Sequence, residues 1–410
     1  MQRVLSDQLS AHVGETVRLA GWVHRRRILA KVAFLVLRDR AGLAQVVLAD
    51  PSGLPPEETV VEVTGRVVAN EVAPGGVELV EPSISVLSVA EPPPVELFRP
   101  ALTATLPVLL DQAPVTLRHP ARREVFAASA AAVAAFRAAL DGLGFTEVFT
   151  PKIVGTATES GANVFALDYF GRPAYLAQSP QFYKQTMVGV FERVYEVGPV
   201  FRAEPHDTSR HLATYTSLDA ELGFIADHRS VMEVLTAVVR AMVAAVGMGD
   251  VLLPASVPVL HFREALSLAG AAPDEPDLAP EHERAIGAWG LREHGSDFVY
   301  VEGYPMVKRP FYTHPSPEPR WSNSFDLIFR GVELVTGGQR LHRYEDYVTA
   351  LTGRGERPED YESYLSAFRH GMPPHGGFAI GLERFMARLT GAANVRETTL
   401  FPRDLHRIAP

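Results

Sequence analysis

The stretch VFRAEPHDTSRHLATYTSLDAELGF, residues 200–224, decides the architecture. Its two ends read as strands, and between them Pro, Asp, Thr and Ser make a loop rich in turn formers. The chain leaves one strand and returns on the next with no helix between them. The same reading holds further out: FVYVEGYP (298–305), SFDLIFRGVELV (324–335) and GGFAIG (376–381) look like strands, as does RVYEVGPVFRAE (193–204). Strands that follow one another without a helix between each pair favour an antiparallel sheet in an α+β domain over a doubly wound one. Helices are expected at REVFAASAAAVAAFRAALDGLGF (123–145), QFYKQTMVGVF (181–191), DHRSVMEVLTAVVRAMVAAVG (227–247) and LERFMARLTG (382–391). Ser179-Pro180 reads as the N-cap and first position of the second of these. TEVFTPKIV (146–154) reads as a strand with a proline, and residues 254–296 yield no assignment.

Upstream the pattern differs. ETVRLAGWVHRR (15–26), VAFLVLRD (32–39), LAQVVLAD (43–50), VVEVTGRVVA (60–69) and GVELVEPSISVLS (76–88) are short strands punctuated by Gly, Pro and Asp. Five such strands suit a small Greek-key barrel of the OB type. EPPPVELFRP (91–100) breaks any regular element. The expected organisation is therefore a barrel over 1–92, a linker over 93–120 and an α+β domain over 121–410.

With 47% hydrophobic and 21% charged residues the chain can build ample core, and no run of about 18 uncharged apolar residues suggests a membrane span. The first residues lack the apolar centre of a signal peptide, so a cytoplasmic setting is the default. Cysteine is absent, which leaves any metal to oxygen and imidazole ligands. The net charge of −9 argues against a nucleic-acid partner, but it hides an imbalance. Residues 17–45 hold seven Lys/Arg against one acid, Asp39, whereas 46–100 hold two basic against nine acidic residues. A basic stretch on a small module can be a footprint for phosphates, or simply a solvated strand face.

Four spots combine residues that could do chemistry. Arg202 and Glu204 share a strand face, Arg210 and His211 follow in the loop, and Asp219 and Glu221 share a face on the return. Guanidinium forks match phosphate oxygens, although a surface ion-pair ladder would use the same letters. If Arg330-Gly331 forms a two-residue turn, Asp326 and Glu333 lie diagonally on one hairpin face. That arrangement suits Mg²⁺, and paired strand carboxylates without metal are equally common. Thr336, Gly337 and Gly338 then allow close backbone approach, with Gln339 and Arg340 beyond. GMPPHGGFAIGLERFMARL (371–389) runs a glycine-rich strand into a helix bearing Glu383 and Arg384, where the arginine could reach a phosphate or stack on a base. Gln178, Ser179, Gln181 and Lys184 sit at a strand-to-helix junction, where Lys184 could equally be an ordinary helix lysine.

In this order the segments resemble the class II aminoacyl-tRNA synthetases, and the aspartate-specific family in particular. FRAE (201–204) with RH at 210–211 resembles the second signature motif of that class. GLERF (381–385) resembles the third, and the helix before GFTEVFTP (144–151) the first, which builds the family's dimer interface. QSPQFYKQ (178–185), GGQRLHRYE (337–345) and FPRD (401–404) are also close to the family's wording. The resemblance implies an aspartate–tRNA ligase that uses ATP with Mg²⁺, acts as a homodimer, and charges tRNA(Asp) and, in the compact form, tRNA(Asn). By the same resemblance Arg202 and Arg384 would be catalytic. ATP would be held by Arg202, Glu204, Arg210, His211, Glu333 and Arg384. Aspartate would be held by Glu159, Gln178, Gln181, Lys184, Asp219 and Arg340, and Mg²⁺ by Asp326, Glu333 and Thr336. In the barrel, His24, Arg26, Phe34 and Gln45 would read the anticodon, by stacking and edge hydrogen bonds. Phe34 could also be a core residue. Asparaginyl relatives lack the lysine of QSPQxYKQ, so Lys184 favours aspartate; an RNA-binding paralogue without catalysis would have a damaged site. The chain departs from the family at Arg27-Ile28-Leu29-Ala30-Lys31, where RRDLGG is usual, so a reshaped loop is expected there. Ser160 and Thr336 replace the usual glycine and serine.

Overall fold

A computed structural model describes residues 2–30, 32–50, 52, 54–155, 163–247 and 250–410. The chain forms two compact units, Met1–Arg123 with Pro410, and Glu124–Ala409.

The first unit is a closed barrel of β1 (Thr16–Ile28), β2 (Ala33–Arg38), β3 (Leu43–Leu48), β4 (Val60–Ala69) and β5 (Val77–Ser88), in the order β1-β2-β3-β5-β4. Alternate residues such as Leu19, Leu35, Val46, Val63 and Leu79 fill it and are almost fully buried. Closure removes the free edges that a five-stranded sheet would otherwise expose. The alternation breaks at His24, where β1 carries a bulge against β2, and the β4–β5 pair shifts register at Val60/Val61 and Thr64/Arg66. The expected bare linker instead contains two short helices, Leu106–Asp111 and Ala113–Thr116, because Leu110, Ala113 and Thr116 are buried. Each helix has proline in its first turn, where the missing N–H costs nothing.

In the second unit the strands are β6 (Thr146–Glu147), β7 (Ile153–Val154), β8 (Ala166–Tyr169), β9 (Arg172–Leu176), β10 (Arg193–Phe201), β11 (Thr214–Gly223), β12 (Val259–His261), β13 (Phe298–Glu302), β14 (Ser324–Phe329), β15 (Val332–Gln339) and β16 (His375–Gly381). Eight of them form one sheet in the order β12-β13-β14-β15-β16-β11-β10-β6, and β7, β9 and β8 form a small second sheet. The large sheet is antiparallel through its middle, but β6 pairs parallel with β10 and β12 parallel with β13, so it is mixed at both edges. The stretch 146–154 is no single strand: it splits between the two sheets, since Pro151 cannot donate to a ladder. The strand before the opening loop ends at Phe201, so Arg202 and Glu204 lie just past it.

Helix His228–Val246 packs Val231, Leu235, Val238 and Met242 on the sheet; Asp227 caps it and Gly247 closes it in the left-handed conformation. The helix Pro120–Gly142 is long and apolar enough to cross a bilayer by length and composition. Its Ala132, Phe136 and Leu140 nevertheless join the sheet core, and its Arg137 pairs with Glu147 at 3.0 Å. Residues 254–296, unassigned from sequence, supply β12 and the helices Phe262–Ala269 and Pro280–His294.

Candidate active site

The middle strands and the helix Gln181–Phe191 enclose a buried group of charges. The helix begins one residue later than expected, with Ser179 Oγ accepting from the Gln181 amide at 3.1 Å. From it, Lys184 reaches down to the sheet, 1% exposed. Its Nζ lies 3.0 Å from Asp219 Oδ1, 3.3 Å from Glu221 Oε2 and 3.2 Å from the Phe378 carbonyl. The period of two on β11 brings both carboxylates to this face, as their spacing predicts. Arg340 follows the end of β15, and its Nε donates to Glu221 Oε1 at 3.0 Å. Glu221 is therefore a buried carboxylate between two cations. Burial pushes its carboxyl up, but Arg340 and Lys184 more than offset this and hold it below the ordinary range. The packing leaves room for nothing larger than glycine at 377, where a Cβ would lie 2.1 Å from Glu221 Oε2.

Behind this group runs a fully buried polar network. Gln185 donates to Tyr347 Oη at 3.0 Å and to His375 Nε2 at 2.9 Å, and accepts from Tyr364 and Gln181. His375 Nδ1 donates to the Pro373 carbonyl at 2.8 Å, so its Nε2 is the accepting nitrogen. Burial, against the pull of Glu221, lowers the His375 imidazole to about 4, and it stays neutral. Gln178 is 2% exposed, and its Nε2 donates to the Asn163 carbonyl at 3.2 Å. Glu159 and Ser160 lie outside the described residues.

Beside it opens a cavity of about 400 Å³, lined among others by Arg202, Glu204, Arg210, His211, Glu333 and Arg384. The two spaces touch through Ser217, which lines the cavity and donates to Asp219. Arg202 lies over the Tyr215 ring, 5.8 Å from its centroid. Arg384 stands in the first turn of the helix Leu382–Thr390, whose Glu383 takes the Thr216 amide on both oxygens at 3.0 Å and pins the helix to β11. Arg384 Nη1 donates to the Glu333 carbonyl at 3.1 Å. Burial and four neighbours (Arg384, His206, Arg210 and Arg202) lower His211 to about 4. It is a neutral hydrogen-bonding group rather than a cation, and its Nδ1 meets Thr208 Oγ1 at 2.6 Å.

The hairpin β14–β15 turns on Arg330 and Gly331, both with positive φ, the two-residue turn expected. A bulge at Leu334 then changes the register. Ile328 faces Glu333, but Asp326 faces Thr336. Asp326, Glu333 and Thr336 thus share one face, and Thr336 Oγ1 lies 3.4 Å from Glu333 Oε1. Burial pushes the Asp326 carboxyl up to about 6, only partly offset by Arg309 at 3.0 Å, while Glu333 adds to the rise. Among the described residues no group of three or more His, Asp or Glu side chains is arranged to hold a metal ion by itself. Two carboxylates and a hydroxyl beside a cation-lined cavity fit Mg²⁺, which completes its shell with phosphate and water oxygens. Glu221, Glu283 and Arg309 carry contacts that were not assigned from sequence. Only Glu221, two residues from Asp219 on one strand, left a signal there.

In the barrel, Phe34 is half-buried on the outer face and is no part of the core. Gln45, also facing outward, donates to Glu78 at 2.8 Å. Unbroken alternation would set His24 and Arg26 beside them, but the bulge at His24 shifts β1 by one residue. Arg25 now pairs with Val36 and Arg27 with Phe34, with Arg27 5.8 Å from the Phe34 ring centroid. His24 is 7% exposed against Arg38 and lowered to about 4 by burial. Arg26 turns to Glu57 at 3.0 Å. The outward cations are Arg25 and Arg27.

Comparison with known proteins agrees with this geometry. Residues 106–405 match the family model for class II tRNA synthetases (D, K and N), and residues 17–87 match the OB-fold nucleic acid binding domain. The chain is 47% identical to an aspartate–tRNA(Asp/Asn) ligase of Thermus thermophilus, with all of both chains covered. It is 46% identical to that of Deinococcus radiodurans, covering 100% of this chain and 99% of the other. Among solved structures, the asparaginyl-tRNA synthetase of Pyrococcus horikoshii complexed with asparaginyl-adenylate superposes with a TM-score of 0.92 at 30% identity, over all of both chains. The chain belongs to the class II tRNA synthetases of the D, K and N group.

Proposed function

We propose that the enzyme joins aspartate to ATP as aspartyl-adenylate, then transfers it to the 3′-terminal adenosine of tRNA(Asp) and of tRNA(Asn). The observation that carries the amino-acid assignment is the buried pair of cations, Lys184 and Arg340, which share the Glu221 carboxylate, with Lys184 also on Asp219. A substrate side-chain carboxylate would satisfy both cations. Asparagine's amide is neutral and would turn a donor NH₂ towards two cations, the kind of mismatch that discriminates by roughly 10⁴-fold or more. Asp219 and Gln178 would take the α-ammonium, Gln181 would support that wall, and Glu159 is a further proposed aspartate contact.

In the cavity Arg202 would bind the α-phosphate and stabilise the charge that develops there, with Arg384 under the adenine and reaching the γ-phosphate. Glu204 would accept from the adenine amino group, and Arg210 and neutral His211 would hold the terminal phosphate. Mg²⁺ bound by Asp326, Glu333 and Thr336 would neutralise polyphosphate charge and help pyrophosphate to leave. No side chain need act as nucleophile, since the aspartate carboxylate attacks phosphorus and the protein contributes position and fixed charge. In the second step the 3′-hydroxyl of the tRNA attacks the adenylate carbonyl and AMP departs.

The barrel would receive the anticodon loop, with Phe34 stacking on a base, Gln45 reading an edge, and Arg25 and Arg27 beside them. The cytoplasm is the proposed setting and a second copy the proposed partner. The latter is supported by the helix Pro120–Gly142, whose 18-residue apolar window is only 22% buried. Sedimentation should give twice the chain mass. ATP–pyrophosphate exchange with aspartate and not asparagine, run beside charging of both tRNA transcripts, tests the whole reading. Exchange with asparagine overturns the role of Lys184, and an uncharged tRNA(Asn) restricts the enzyme to tRNA(Asp).

A further inference from the structure

Glu283 has no part in the roles above, yet three elements of the nucleotide cavity meet at its carboxylate. It stands on the helix Pro280–His294, lines the cavity and is 6% exposed. Its Oε2 lies 3.1 Å from Arg210 Nη1 and accepts from the Glu333 backbone amide at 2.9 Å. One oxygen therefore ties the loop after β10 to the start of β15, on which Glu333 and Thr336 sit. The helix is held close to the hairpin one turn further on. At Gly287 a Cβ would fall 2.6 Å from the Gly331 amide nitrogen, so only glycine lets the two backbones approach this near. Residues 283 and 287 share a helix face, and that contact fixes where the Glu283 carboxylate stands.

On charge alone Glu283 is in the wrong place, since a carboxylate beside a polyphosphate repels it. Its two hydrogen bonds give the reason for its presence. We propose that Glu283 is a positioning residue for ATP: it holds Arg210 and the Glu333 end of the hairpin at the separation the polyphosphate spans. This rests on the reading of Arg210 as a phosphate-binding cation.

Charge and position predict opposite signs, and that makes the test. In Glu283→Gln the repulsion is gone, so a charge effect lowers the KM for ATP. Positioning raises it by about tenfold, because the neutral amide holds Arg210 weakly, while the KM for aspartate stays within about twofold. ATP–pyrophosphate exchange reads both. In an Arg210→Ala background, Glu283→Gln should raise that KM by much less than it does alone, since only the Glu333 amide is left for the carboxylate to hold. Glu283→Asp keeps the charge but withdraws the carboxylate by one methylene, and should also raise the KM for ATP; it carries the test if the glutamine variant does not fold. A KM for ATP that is unchanged or lower in the folded single variants overturns the inference, as does a full additive increase over Arg210→Ala. If Arg210→Ala itself leaves that KM unchanged, the reading of Arg210 fails instead.

Discussion

Lys184 exposes 1% of its side chain and Arg340 8%, whereas Arg210 exposes 30% and Arg384 31%. The cations of the amino-acid pocket are enclosed and each touches a carboxylate from β11; those of the cavity stand half in water. The proposed substrates account for the difference. Telling a carboxylate from an amide needs desolvated charge at fixed distance, because water would satisfy either. Triphosphate carries several charges and keeps metal and water about it, so the cavity can stay open and its arginines can move. On that reading the enclosed charges serve the fold as much as the substrate, while those in the cavity serve mainly the substrate.

The largest effect should come from breaking the enclosed set. Lys184→Met leaves Asp219 and Glu221 with one cation fewer in a buried site, a loss of about 3–5 kcal/mol. For a unit of this size that lowers the melting temperature by roughly 10 °C. Aspartate-dependent exchange should fall on the order of 10⁴-fold. Adding Glu221→Gln should recover part of the melting temperature and none of the activity. Recovery of both would mean that Lys184 is a structural cation only. The contrasting variant is Arg384→Ala, expected to cost roughly 10²–10³ in exchange rate, the cost of removing one donor that stabilises developing charge. Its stability should stay within about 0.5 kcal/mol, and a large drop in melting temperature would erase the distinction between the two regions.

The polar network behind the pocket makes a smaller prediction, in pH. His375 in the folded protein titrates near 4, below the ordinary 6.5 of an unfolded histidine. Between those values the unfolded chain binds more protons, so stability is lost as pH falls from about 6.5 towards 4. His375→Gln should flatten that part of the stability–pH curve while lowering stability at neutral pH. An unaltered acid slope would assign the loss to other groups, among them half-buried His211.

Much of this was legible from residue order. Strands, helices and the local pair Asp219–Glu221 follow from period and spacing, and the motif resemblance brought together residues far apart in the chain. Two kinds of feature were not legible. Bulges at His24 and Leu334 carry no composition signal, yet each changes which residues share a face; one moves the outward cations of β1, the other brings Thr336 opposite Asp326. Contacts between distant segments, Arg309 with Asp326 and Glu283 with Arg210, join ordinary surface letters whose meaning depends on packing. The segment 254–296, of mixed helical and Pro-rich character, packs Phe262, Leu266 and Ile286 against Val299, Val301 and Ile328, and it also brings the Glu283 carboxylate to a cavity built by other elements.

The barrel offers the least dramatic test of the same point. If its outer face meets the anticodon loop, each cation on that face releases counterions when RNA binds, and loss of one should reduce the slope of log Kd against log salt by about 0.7. Arg27 lies over Phe34 on that face, and Arg26, one residue away, is turned to Glu57. Arg27→Gln should therefore lower the slope for tRNA binding. Arg26→Gln should leave it unchanged and at most trim stability by the ~0–1 kcal/mol that such a pair contributes. The opposite result would mean that β1 meets RNA in the unbulged register, with His24 and Arg26 outward. Because the substitutions are identical and adjacent, composition and net charge cannot account for a difference between them; only the bulge can.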